Sequence, residues 1–262
     1  MKNLRKYGKT PFSVAVIHGG PGAGGEMAPV ARELGSDFGV LEPIQTATSL
    51  KGQLEELKTV LEKNADCPVI LIGFSWGAWL SFIFAAKNHE FVKKLILIGS
   101  GPYEEEYAAK NSETRLKRLS KMERTEVDSL IEVLNNPAHK NRKSDFIRFG
   151  ELLTKTDIYF PITCECEPID FRADIFHSVW KDGAELRESG KLLEIGKHIR
   201  CPVVAIHGDY DPHPAEGVQK PLSAFMKNFR FIMLKHCGHK PWVEREAKEQ
   251  FFRILKNESE SA

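Results

Sequence analysis

Five near-continuous apolar runs, each closed by turn-forming residues, restrict what this chain can fold into: SVAVI (13–17), PVILIG (68–73), KKLILIG (93–99), CPVVAIHG (201–208) and FRFIML (229–234). A weaker run, GVLEPI, begins at Gly39. Strands that are apolar throughout, rather than at every second position, need cover on both faces, which is the pattern of a mostly parallel sheet with helices on either side. Between the runs lie stretches of helical period. Leu50, Leu54, Leu57 and Leu61 form one apolar stripe of the kind that packs against a sheet. Strand and helix therefore alternate, and the expected class is α/β.

The alternation stops after Gly101. From about residue 102 to 199 no convincing buried strand is readable, while Val127, Leu130, Ile131 and Leu134 mark an amphipathic helix in a charge-rich stretch. Further helical segments begin near Asp145 and Asp174. The expected organisation is a sheet core from residues 1–101 and 200–262, with 102–199 inserted as a helical cap over the strand ends. A chain of 262 residues is long enough for one such domain. The polar tail NESESA is expected to fray.

Composition narrows the partners. With 37 Lys+Arg against 36 Asp+Glu, the net charge of +1 points to neither nucleic acid nor an anionic membrane surface, and favours a small-molecule or short-peptide substrate. The first apolar stretch is only SVAVI, so neither a secretory leader nor a membrane span is readable and the cytoplasm is expected. Five cysteines, at 67, 164, 166, 201 and 237, form no paired C-x-x-C modules and read as reduced thiols. The one-residue spacing of Cys164 and Cys166 suits neither zinc nor a relaxed disulfide.

Three segments at strand ends carry the chemistry. Gly73-Phe74-Ser75-Trp76-Gly77 follows the strand VILI and precedes a helical face of Trp79, Phe82, Ile83 and Ala86, placing Ser75 at a strand-to-helix turn. A G-x-S-x-G string arises by accident in roughly one chain in ten of this length, so this context matters more than the string. Both glycines are explained sterically, since side chains two residues either side of the turn would collide with neighbouring strand and helix. His18-Gly19-Gly20-Pro21-Gly22 follows the first strand and offers a loop of small residues from which a backbone N–H can reach a carbonyl oxygen. Gly20 is the expected donor, with Gly19 the second choice, and the N–H of Trp76 supplies the partner of an oxyanion hole.

A serine hydroxyl needs a base, and a histidine held by a carboxylate is the usual solution. Among nine histidines, His239 lies just after the last strand in Lys235-His236-Cys237-Gly238-His239-Lys240-Pro241, where a loop at the sheet edge can reach Ser75. His236 is the rival, but it continues the strand and lacks a preceding glycine. His18 reads as loop-shaping, and His89, His139, His177 and His198 as surface or packing residues. The carboxylate is expected after the penultimate strand, in Gly208-Asp209-Tyr210-Asp211-Pro212, where composition alone leaves Asp209 and Asp211 equal. The order serine, aspartate, histidine matches the α/β-hydrolase fold and differs from other serine-hydrolase orders.

Taken together, H-G-G-P-G, G-x-S-W-G, G-x-x-D and G-H resemble the prolyl iminopeptidase-related branch of the α/β-hydrolases, over residues 13–101 and 200–256. The resemblance implies that the aspartate closing G-x-x-D, Asp211, is the acid, and that the N–H groups of Gly20 and Trp76 stabilise the oxyanion. About twelve residues precede the first clear strand, so the antiparallel hairpin that usually begins this fold is expected to be shortened or partly missing. Peptidases of this branch recognise a free amine with acidic cap residues. The run Cys164-Glu165-Cys166-Glu167-Pro168-Ile169-Asp170 supplies candidates, although a solvated acidic loop is the preferred reading.

The expected activity is cleavage of a small ester or amide through an acyl-enzyme, by an aminopeptidase or a carboxylesterase, with no metal or organic cofactor required. The alternatives are a C-C bond hydrolase on the same residues and a non-catalytic hydrolase-fold receptor for a small ligand. Dehalogenase chemistry is disfavoured because it uses an aspartate where Ser75 stands.

Overall fold

A computed structural model describes residues 3–135, 142–162 and 170–261. Among them, β1 (Leu4–Tyr7), β2 (Phe12–Ile17), β4 (Gly39–Pro43), β5 (Val69–Phe74), β6 (Val92–Ile98), β8 (Val203–Gly208) and β9 (Phe229–Leu234) form one seven-stranded sheet. Its order is β1-β4-β2-β5-β6-β8-β9, parallel throughout except for β1, which runs antiparallel to β4. Each apolar run read from the sequence is a strand of this sheet. The expected opening hairpin is reduced to one strand, LRKY, on the far side of β4. Two short strands, β3 (Ala23–Gly24) and β7 (Asp170–Phe171), pair separately.

The period-2 geometry of a strand sorts the apolar side chains onto two faces, and both are covered. On one face Ala15, Ile17, Leu71, Leu95, Leu97, Val203 and Ala205 pack with α2 (Leu50–Asn64), α3 (Trp76–Lys87) and α9 (Glu216–Phe225). On the other, Val14, Val16, Ile70, Ile72, Ile96, Val204 and Ile206 meet α1 (Ala28–Leu34) and α10 (Lys248–Glu260), which bring Val30, Leu34, Phe251 and Leu255. The stripe read as Leu50, Leu54, Leu57 and Leu61 is the inward face of α2, with Leu50 partly buried and the other three buried, and the helix starts where the Ser49 side chain accepts the Gly52 N–H at 3.1 Å.

Between β6 and β8 the described chain is mainly helical: α4 (Glu105–Arg118), α5 (Lys121–Asn135), α6 (Arg142–Asp157), α7 (Ala173–Glu188) and α8 (Lys191–Ile195). A reciprocal Ser120–Glu123 box opens α5, with the Ser120 N–H donating to Glu123 at 2.9 Å and the Glu123 N–H to Ser120 Oγ at 3.3 Å. These helices divide by where their apolar faces go. Leu119, Val127 and Leu152 make a small core of their own. Ile175 and Val179 of α7, and Leu192 and Leu193 of α8, belong instead to the main core against the sheet.

Leu57 is fully buried in that core. Leu57→Ala is expected to cost about 2–5 kcal/mol in urea unfolding; a loss under about 1 kcal/mol would contradict this account of the packing.

Candidate active site

Ser75 sits between β5 and α3 with φ 52° and ψ −114°, a conformation that non-glycine residues rarely adopt. The surrounding backbone holds it there. The Ser75 N–H donates to the Ile98 carbonyl at 2.9 Å, tying the turn to the end of β6, and its own carbonyl accepts from Ala78 at 3.0 Å to start α3. The glycines are required by close approach. A Cβ on Gly77 would lie 2.5 Å from the His18 carbonyl oxygen, and one on Gly73 would run into the Gly77 backbone and lie 2.7 Å from Ser81 Oγ. Phe74 and Trp76 are buried while Ser75 is half-exposed, and its hydroxyl does not cap its own helix.

The glycine loop after β2 lies against this turn. His18 is fully buried; its Nδ1–H donates to the Gly19 carbonyl at 2.9 Å, while Nε2 accepts the Gln45 N–H at 3.3 Å. An acceptor on one side and a donor on the other fix a single neutral tautomer. Burial pushes its pKa down from the usual value, in keeping with that state. His18 therefore shapes the loop, as its position in the sequence suggests. Gly20 has φ +20°, and its carbonyl accepts from Ala23 at 2.8 Å. Neither the Gly20 nor the Trp76 N–H donates a hydrogen bond among the described residues.

Asp211 follows β8 and His239 follows β9, and the two meet: His239 Nδ1–H donates to Asp211 Oδ2 at 2.7 Å, both side chains being buried. This leaves Nε2 as the uncommitted ring nitrogen of His239. The ring centroids of His239 and Phe74 are 4.8 Å apart, and Gly99 has room for the histidine only because it lacks a side chain, since a Cβ would lie 3.0 Å from Nδ1. His239 thus stands beside the Ser75 turn. No hydrogen bond joins Ser75 Oγ to His239 among the described residues; bonds of this kind are often long until substrate binds.

The competing residues lie elsewhere. Asp209 accepts from the Cys237 N–H at 3.3 Å and lies 3.6 Å from Lys235 Nζ, on the outer side of the turn. His236 is exposed and lies 3.2 Å from the Tyr159 hydroxyl. Its φ of 52° sends the chain out of the strand before Gly238 and His239. The His239 loop is anchored from two directions. The His239 N–H donates to the Asp157 carbonyl at 2.7 Å, and buried Glu244 accepts N–H groups from Gly238, Tyr159 and Phe160, each at 2.8 Å. Asp157 is itself gripped by Arg115 through two 2.7 Å contacts.

Two residues around the carboxylate escape a reading of the sequence. His213 donates its backbone N–H to Asp211 Oδ1 at 2.9 Å and its Nδ1–H to the same oxygen at 2.8 Å. His207 lies 3.6 Å from Oδ2 and bonds the His213 carbonyl through Nε2 at 2.9 Å. The signal for His213 is the string Asp211-Pro212-His213, because aspartate side chains commonly accept the N–H two residues on. Burial by itself raises the Asp211 carboxyl, yet the nearby imidazoles of His239, His207 and His213 more than offset it and hold the group well below the usual carboxylate range. Burial pushes His213 down to about 4 against the upward pull of Asp211, so it is a neutral donor at pH 7.

Asp211, His213 and His239 also offer three possible metal-ligand atoms within 4.8 Å of one another. Their hydrogen bonds already use both Nδ1 atoms and both carboxylate oxygens. Among the described residues Cys67, Cys201 and Cys237 are free thiols; Cys164, Cys166 and the acidic run as far as Ile169 lie outside the described residues, and its last residue, Asp170, begins β7.

The low pKa of buried His213 carries a stability consequence. Between about pH 6.5 and 4 the unfolded chain binds a proton that the folded site refuses, so stability falls as pH falls through that window. His18 acts in the same direction. His213→Asn is expected to reduce the slope of unfolding free energy against pH by up to about 1.4 kcal/mol per pH unit. Urea unfolding between pH 7 and 5 measures this, and equal slopes in variant and wild type would contradict it.

The α/β hydrolase fold profile matches residues 14–246. No curated protein matches the chain in sequence. Among solved structures, VinJ is similar with a TM-score of 0.74 at 17% identity, over 98% of this chain and 94% of that one. A putative lipase from Acinetobacter baumannii AYE gives 0.66 at 18%, covering 99% and 88%. The proline iminopeptidase of Mycobacterium smegmatis gives 0.65 at 16%, covering 98% and 94%. At such identities the likeness carries the fold and not the substrate. The match over most of its length, together with the parallel sheet and its strand order, makes this chain a member of the α/β-hydrolase fold family.

Proposed function

We propose that the protein is a serine hydrolase of small esters or amides, including short peptides, in which Ser75 is the nucleophile, His239 the general base and Asp211 the acid that orients it. The observation carrying this reading is the 2.7 Å bond between buried Asp211 and His239 beside a serine at φ 52°. In the proposed cycle Ser75 Oγ attacks the substrate carbonyl as His239 Nε2 takes the hydroxyl proton. The Gly20 and Trp76 N–H groups receive the developing oxyanion. His239 then gives the proton to the leaving group, and later activates water to release the acyl chain. Asp211, held ionised, favours the imidazolium that forms between those steps. The dipole of α3, whose first turn begins at Ser75, favours the same negative charge.

Residues 102–199 are proposed as the cap that selects the substrate, with α7 and α8 as its footing on the sheet core. The Arg115–Asp157 pair ties α4 and α6 to the His239 loop. No helix among the described residues is long and apolar enough to cross a membrane.

Initial rates on prolyl and alanyl p-nitroanilides beside short-chain p-nitrophenyl esters test the reading. Turnover is expected to fall by at least about 10³-fold in Ser75→Ala. Fast release from the aminoacyl anilides would mark an aminopeptidase, and ester turnover alone an esterase. Activity surviving in Ser75→Ala would overturn the proposal. Asp211→Asn is expected to lose about 10³- to 10⁴-fold in kcat, and Asp209→Asn to stay within about tenfold of wild type; equal losses would remove the acid assignment.

A further inference from the structure

We propose that His213 is a positioning residue for Asp211: by placing two donors on Oδ1 it fixes the carboxylate so that Oδ2 is presented to His239. The inference rests on Asp211 and His239 being the working pair. A carboxylate held at one oxygen can turn about its Cβ–Cγ bond, and such a turn would misalign the imidazole it steers. Here both oxygens are engaged. The His213 N–H and Nδ1–H reach Oδ1 at 2.9 and 2.8 Å, and His239 reaches Oδ2 at 2.7 Å. The two donors belong to one residue, and Pro212 between it and Asp211 restricts the intervening backbone. The far side of the turn is held as well, because His207 in β8 bonds the His213 carbonyl at 2.9 Å. The imidazoles of His213 and His239 lie 4.6 Å apart between centroids, so the two rings pack side by side and each meets one oxygen of the carboxylate.

The charge state of His213 matters to the role. A neutral imidazole donates a hydrogen bond and leaves the full negative charge of Asp211 available when His239 takes up a proton. A protonated one would compete for that charge and repel the new imidazolium. The charged and titratable groups around His213 are Asp211 in its own loop, His207 in β8, His239 after β9, Arg115 in α4 and Asp157 at the end of α6. Burial and the positive groups keep His213 neutral against the pull of Asp211.

His213→Ala and His213→Leu delete the side-chain donor, Leu with a bulkier apolar replacement. His213→Asn keeps an N–H near the Nδ1 position. With donor loss, kcat is expected to fall by about tenfold with KM little changed, and the acid limb of the kcat/KM profile to rise by about half a pH unit, because Asp211 then concentrates its charge on His239. His213→Asn is expected to recover kcat to within about threefold and to leave the limb in place. A second readout needs no turnover: the proton nuclear magnetic resonance of the His239 Nδ1–H is expected downfield and sharp in wild type and His213→Asn, and broadened by exchange in the Ala and Leu variants. An unchanged resonance and unchanged limb in the Ala and Leu variants would overturn the proposal. So would an Asn variant as impaired as they are, which would mark a role in packing alone. Failure of the wider reading looks different, with turnover that survives Ser75→Ala or is absent from wild type while the resonance still responds to residue 213.

Discussion

A carboxylate removed from water costs several kcal/mol unless hydrogen bonds and positive charge replace the lost hydration. Asp211 has no exposed side-chain surface, and three segments converge to supply what it needs. The turn after β8 brings the His213 N–H and imidazole, β8 itself brings His207, and the loop after β9 brings His239. That loop is fastened in turn to the 157–160 segment through Asp157 and Glu244. Partnering one buried charge thus determines where His239 stands and how the helical segment meets the sheet.

The sheet makes this convergence possible. Parallel strands put all their C-terminal ends on one edge, and the loops after β2, β5, β8 and β9 carry the glycine loop, Ser75, Asp211 and His239. β5 and β8 are buried on both faces, and β9 is paired with β8 from Phe229 to Leu234, so the edge they form is rigid and side chains on it keep their spacing. At the turn itself Ser75 takes a strained backbone conformation maintained by the Ile98 carbonyl and the tight approach of Gly73 and Gly77.

How much of this could be read from sequence follows from what kind of constraint each element obeys. The central strands were legible because two-sided burial demands unbroken apolar runs. β1 was not, because LRKY lies at a sheet edge with Arg5 and Lys6 exposed and carries no apolar signature. The helices between β6 and β8 were legible only in part. α5, α6 and α7 announce themselves through periodicity or acidic starts, whereas α4 buries little beyond Tyr107 and carries no apolar stripe. At the site, residue types and order pointed to Ser75, to His239 and to one of two aspartates, but Asp209 and Asp211 differ only in which way the turn directs them. His207 is invisible for a related reason, since its significance lies in a distance to a carboxylate that no spacing rule encodes, whereas for His213 the Asp211-Pro212-His213 spacing signals the backbone bond but not the imidazole one.

The central claim is that Ser75 is a nucleophile activated by the Asp211–His239 pair. Its most direct test is reaction of the folded protein with a fluorophosphonate, followed by intact-mass measurement and peptide mapping of wild type, Ser75→Ala and His239→Ala. The account predicts a single adduct on Ser75, absent from Ser75→Ala and formed much more slowly in His239→Ala. No adduct in folded wild type, or one mapped to a residue other than Ser75, would contradict it.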